Sequence, residues 1–305
     1  MRKIKLVLSF FCLLCVLAGC WRQEDTVPDT QRGYNIYRAC QTWSIFYITN
    51  KVDLMMKFNS WYVANNQERN KIKNKWFRQY DIIEKEPGLF SFYDVMNRNE
   101  YVFSINTQGK SLTDEDSHWT FKWYSGNATP ENQAIGYWWD KDMIICSSFR
   151  GCGWVELHVD REVSDVPSEL CWRVSMAEKD SLHSFIDWRL DLQSAEMPQT
   201  LFEGDFYISG SGCYKYVENY NSAWHVDCET ETYLKYEIRS PMCWYASIGN
   251  VDDLCWYGGS MDLEAFDLQG NALPVRAEYV KPKNVKITYK DVSQVWNVLS
   301  GKVVE

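Results

Sequence analysis

Residues 186–193 read Ile-Asp-Trp-Arg-Leu-Asp-Leu-Gln, and the alternation in that stretch decides the fold. Ile186, Trp188, Leu190 and Leu192 take every second place, with Asp187, Arg189, Asp191 and Gln193 between them. On a helix, steps of about 100° would spread the four apolar side chains around the axis; on a strand they share one face. That face seeks a core while the charged face stays in water, which is the pattern of an antiparallel sheet covered on one side.

The same texture extends in both directions. Trp119, Phe121 and Trp123 alternate with His118, Thr120 and Lys122, and Val285, Ile287 and Tyr289 alternate with Lys286, Thr288 and Lys290. Turn residues punctuate the runs at Gln108-Gly109, Ser125-Gly126-Asn127, Gly210-Ser211-Gly212, Gly258-Gly259 and Gly270-Asn271. Many short strands so separated predict an antiparallel, sandwich-like set of sheets. Glu169–Met176 (ELCWRVSM) is echoed by Asp253–Met261 (DLCWYGGSM), and Leu190–Gln193 by Phe266–Gln269, which hints at a duplicated β module.

Two regions carry helical spacing instead. From Tyr34 to Trp61, Ile36, Cys40, Trp43, Tyr47, Leu54, Phe58 and Trp61 recur three, four or seven apart and form one face. The β-branched and aromatic run Thr42–Thr49 keeps a strand reading open within it. Ile72, Trp76 and Tyr80 then repeat every four residues among Lys71, Lys73, Lys75 and Arg78, a solvated basic face. Pro87-Gly88 closes the helical part. At the far end Asp291 and Gln294 form a capping pair ahead of Val292, Val295, Trp296 and Leu299, which predicts a short C-terminal helix ending at Gly301. The class is α+β, mainly β, with an N-terminal helical segment packed on the sheets. The expected divisions are a signal peptide (1–19), a polar tether (20–33), a helical segment (34–86) and two β-rich modules (87–199 and 200–305).

The chain opens with Arg2, Lys3 and Lys5, an apolar run from Leu6 to Leu17, and then Ala18-Gly19-Cys20. Twelve helical residues span about 18 Å, short of the ~30 Å hydrocarbon layer. The layout is that of an export signal. Leu17-Ala18-Gly19-Cys20 resembles the lipobox of bacterial lipoproteins, in which the cysteine is acylated and becomes the new N-terminus. Gln23-Glu24-Asp25 resembles the acidic signal that sends lipoproteins of the Bacteroidetes type to the cell surface. The resemblance implies an outer-membrane protein anchored by lipid on Cys20, and it covers residues 1–25 only.

Removal of residues 1–19 takes away three of the 32 cations and none of the 41 acids, leaving a net charge of −12. That balance excludes nucleic acid as the natural partner and leaves lipid rather than charge to hold the chain at a membrane. Eight cysteines would remain in an exported chain. Their spacing makes Cys146–Cys152, Cys213–Cys228 and Cys243–Cys255 the first disulfide candidates, with buried free thiols as the alternative.

Catalytic motifs are not evident. Gly210-Ser211-Gly212 reads as a turn, and the four histidines are scattered. His225-x-x-Cys228 lacks a second ligand pair for zinc. Asp187, Asp191, Glu229 and Glu231 are carboxylates that nothing brings together. No cofactor or metal is expected. The stronger signal is the set of aromatics that alternation places away from the core: Trp154 beside Glu156 and His158, Tyr214 and Tyr216 about Lys215, and one ring of Trp138-Trp139. Flat rings beside polar groups stack on sugars or anchor proteins. The expected function is therefore a non-catalytic surface lipoprotein that binds a glycan or an envelope protein. A lipid-anchored hydrolase of polysaccharide or peptidoglycan and a structural envelope subunit are the alternatives.

Overall fold

A computed structural model of the chain describes residues 28–96, 100–114, 117–124, 137–140, 143–146, 152–160, 169–176, 183–193, 197–203, 205–217, 220–221, 225–226, 231–245, 255–266 and 270–304. The expected signal peptide and most of the expected tether lie outside these. The fold is α+β and mainly β. Three helical pieces come first: α1 (Asp29–Cys40), then a π-helical turn (Gln41–Phe46) running without a break into α2 (Tyr47–Val63), and α3 (Asn66–Trp76). Asn65 caps α3 by accepting from Gln67 N and Glu68 N, both at 3.0 Å. Arg69 donates to the last carbonyls of α2, Trp61 O at 3.1 Å and Tyr62 O at 2.7 Å, which fixes the corner between the two helices.

Among the described residues fourteen strands form one antiparallel sheet, joined almost entirely in chain order. They are β1 (Tyr80–Glu86), β2 (Leu89–Asp94), β3 (Glu100–Asn106), β4 (Ser117–Tyr124), β7 (Cys152–Asp160), β8 (Glu169–Met176), β9 (His183–Gln193), β10 (Asp205–Val217), β13 (Glu231–Tyr245), β14 (Cys255–Phe266), β15 (Ala272–Lys281), β16 (Asn284–Tyr289), β17 (Val292–Asn297) and β18 (Lys302–Val303). Two small hairpins branch from it, β5 (Tyr137–Asp140) with β6 (Met143–Cys146) and β11 (Tyr220–Asn221) with β12 (His225–Val226).

Because a strand's side chains alternate, one register carries a core row and a water row across many strands. The core row runs Leu157, Val174, Trp188, Gly210, Ile238, Met261, Ala277, Ile287. One residue away, the water row runs Glu156, Ser175, Asp187, Ser211, Glu237, Asp262, Arg276, Thr288. Ile186, Trp188, Leu190 and Leu192 are all buried, as the alternation predicts. Gly210 is obligatory in the core row. It has φ +114 at a register shift in β10, and a Cβ there would overlap the Asp187 carbonyl oxygen. The opposing irregularity in β13 contains Pro241, which has no N–H to give a ladder.

The 35 residues of α1, the π turn and α2 cross the strands in reverse chain order. Gly33 packs on Ile287 and Tyr289 of β16, and Tyr34 stacks on Trp296 of β17 at 4.3 Å. Tyr37 meets Tyr279 of β15, hydroxyl to hydroxyl. Ser44 reaches Tyr236 of β13 at 2.7 Å. Asp53 reaches Leu201 N at 2.8 Å, and Phe58 packs on Phe90 and Phe92 of β2 at 5.0 and 5.3 Å. At about 1.5 Å per residue the helix is roughly 52 Å long. Fourteen strands spaced ~4.8 Å apart are about 62 Å wide. One helix therefore suffices as the spine of the whole sheet, and its buried side chains join one core with those of the strands. Described positions from Ser44 to Asn59 are buried on every side of it, apart from Phe46 and Leu54, which are half-buried.

Several expectations are corrected here. The predicted C-terminal helix is the hairpin β16–β17. Lys290 and Asp291 both have positive φ (47° and 63°), which makes the two-residue turn that hairpins favour. The helical part ends at Trp76 rather than residue 86, and Pro87-Gly88 is the turn between β1 and β2. Among the described residues the strands form one large antiparallel sheet with the N-terminal helix packed on it, the mainly β arrangement expected. That sheet is continuous across residue 200, since β9 and β10 pair from Gln193–Asp205 onward. The two echoed blocks do not occupy equivalent places: Leu190–Gln193 ends the strand after β8, whereas Phe266 ends β14 itself.

Candidate binding surface

The expected contact residues fall at different places in the sheet. Trp154 on β7 is registered opposite Lys122 of β4, whose side chain is exposed. Glu156 and His158 follow on the same side, opposite Thr120 and His118, while Val155 and Leu157 pair with the buried Phe121 and Trp119. The register thus sets Trp154 in the same row as Lys122, its own side chain lying outside the described residues. Tyr214 pairs with Leu234, which is fully buried, and Tyr216 with Thr232 in the same register. The side chains of those two tyrosines, like those of Trp138 and Trp139, lie outside the described residues. Trp138 and Trp139 pair with Ile145 and Ile144 in the β5–β6 hairpin. Cys146, Cys152 and Cys255 are strand residues whose side chains are outside the described set, as is Cys228 altogether. Cys40, Cys213 and Cys243 form no disulfide, so neither Cys213 nor Cys243 is in its expected pair here. Burial raises the pKa of the Cys40 and Cys243 thiols, which keeps both as poor nucleophiles.

Further along, β10 and β13 to β16 carry an open depression of about 790 Å³. Its charged rim was not singled out from sequence, because only the cross-strand register assembles it. Arg239 spans Glu237 at 2.6 Å and Asp262 at 2.7 Å, two acids that face each other directly across the ladder. Like charges so placed repel unless a cation bridges them. The hydrogen bond to Asp262, and then the Glu237 charge, hold the guanidinium pKa above its ordinary value. Lys235 lies 5.2 Å over the Phe266 ring, and Arg276 is exposed beside Asp262.

Inside, the π turn presents Ser44 to Tyr236, whose hydroxyl also accepts from Trp188 Nε1 at 3.0 Å. Serine beside tyrosine is a nucleophile's geometry on paper. Burial first, and then the neighbouring Cys40, hold the Tyr236 phenol well above its normal range, and Ser44 has no exposure at all. A protonated phenol sealed from water cannot serve as base. The trio is a lock between helix and sheet. Tyr236→Phe leaves the Trp188 donor and Ser44 unpaired, and we expect a loss of about 1–3 kcal/mol in urea unfolding. Unchanged stability would contradict the lock.

Asp187 is exposed and Asp191 is held by Arg189 at 2.8 Å, while Glu229 and the side chain of Glu231 lie outside the described residues. Among the described residues no group of three or more His, Cys, Asp or Glu side chains is placed to hold a metal ion. No helix among them is long and apolar enough to cross a membrane. No family model, curated protein or solved structure matches the chain.

Proposed function

We propose that this chain is a non-catalytic lipoprotein, anchored to the outer membrane through Cys20, that binds a glycan or a protein partner on the water-facing side of its sheet. The observation that carries the reading is the placement of Trp154 opposite exposed Lys122. No described aromatic is among the exposed large apolar residues. An aromatic residue registered opposite Lys122, and two residues from Glu156 on the same strand, has the mixture of ring and hydrogen-bonding groups that sugar and protein contacts use. The lipobox resemblance supplies the address.

Binding of the purified protein to an array of envelope and dietary glycans, and to solubilised envelope proteins, tests it. Trp154→Ala weakens the bound partner about thirtyfold, the ~2 kcal/mol of an aromatic anchor. Circular dichroism of the variant should match the parent. Absence of any partner, or binding indifferent to Trp154, would overturn the reading.

A further inference from the structure

We propose that the sheet edge made by β17 and β18 rests on the bilayer surface, with its exposed aliphatic side chains in the headgroup layer and nearby lysines on anionic phospholipid. This rests on the lipoprotein reading above. Nine residue steps separate Cys20 from Asp29, the first residue of α1. Fully extended at about 3.3–3.6 Å each, they reach roughly 30 Å. The start of α1 therefore stays close to the anchoring leaflet.

That start is built against this edge. Lys290, in the β16–β17 turn, pairs with Asp29 at 3.1 Å, Tyr34 stacks on Trp296, and Gly301 lies against Tyr34 and Arg38. Val292, Leu299, Val303 and Val304 are exposed there, at 46%, 59%, 46% and 46%. Exposed aliphatics clustered on one margin mark an interaction surface. Between residues 276 and 302 there are six cations and two acids, in a chain whose overall charge is −9. Apolar side chains rimmed by lysine are the composition of an interfacial membrane contact.

The opposite edge gives the contrast. Ile83, Val95 and Met96 are exposed near β1 and β2, where residues 80–96 carry four acids, one of them paired with Lys73, against the single cation Lys85. An anionic surface repels that margin. A sheet width of about 62 Å also puts it beyond the tether's reach.

The test uses full-length lipidated protein in vesicles of phosphatidylethanolamine and phosphatidylglycerol that carry a photoactivatable phospholipid. Adducts are mapped by mass spectrometry, which also reads the mass of Cys20. Adducts are expected within residues 291–304, falling several-fold in Leu299→Asp/Val303→Asp protein with an unchanged circular dichroism spectrum. An acylated Cys20 with no adducts in 291–304, or with adducts concentrated at 80–96, overturns this inference alone. An unmodified Cys20 sinks the anchor and this orientation together. Should the double variant misfold, the parent protein's adduct map decides by itself.

Discussion

Phe58→Ala lowers the unfolding free energy by about 3–5 kcal/mol, the range for truncating a fully buried aromatic. Phe58 has no exposure and its ring meets Trp61 at 5.2 Å, Phe90 at 5.0 Å, Phe92 at 5.3 Å and Trp119 at 5.9 Å. These partners belong to α2, β2 and β4, so the ring joins the helix to the first strands of the sheet. The partners are rings on rigid elements and cannot close the void. The midpoint of urea unfolding measures the loss. A variant within experimental error of the parent would mean that the helix does not pack on this end of the sheet.

Asp53→Ala is expected to cost a similar ~3–5 kcal/mol for a different reason. The carboxylate is buried on α2, 2.6 Å from Lys57 Nζ, and accepts from Thr200 Oγ1 and from Leu201 N. Its removal strands a lysine side chain that is 10% exposed, and a backbone N–H as well. The cost lies in the uncompensated charge, so Asp53→Ala/Lys57→Met should recover part of it, since apolar replacements of buried pairs are often near neutral. The segment Met197–Glu203 loses its tether and should become susceptible to limited proteolysis. If the double variant is no more stable than Asp53→Ala, the stranded lysine is not the cause.

Helix and sheet were not equally legible. Strands such as β9 and β16 announce themselves because a period of two with one wet face has a single reading. The order of strands and the choice of a helix as cover are not written locally, since Ile186 and Trp188 seek a cover of either kind. The helix was visible only by its apolar row. Asp53, Lys57 and Asn59 lie outside that row, yet they are buried, because Asp53 and Lys57 satisfy each other and Asn59 accepts from Leu112 N at 2.9 Å. The π turn at Gln41–Phe46 falls in the stretch whose β-branched residues kept a strand reading open. Val292, Val295, Trp296 and Leu299 satisfy helical spacing by coincidence. The Lys290-Asp291 turn that overrules them lacks the Asn-Gly signature of its type. The strand that carries Trp154 was legible from alternation in β7. The pairing of Tyr214 with Leu234, past a register shift beside Cys213, is not written locally.

The reversed crossing of helix over strands ties the two termini of the polypeptide together in time as well as in space. Asp29 and Lys290 are 261 positions apart, so the earliest-synthesised helix waits for the latest-synthesised hairpin before its flank is sealed. Contacts of such range are entropically costly to close and slow to nucleate. A nascent chain must therefore carry an oily, unsheltered helix for nearly its entire elongation, which makes a holding chaperone valuable and premature termination near residue 270 ruinous.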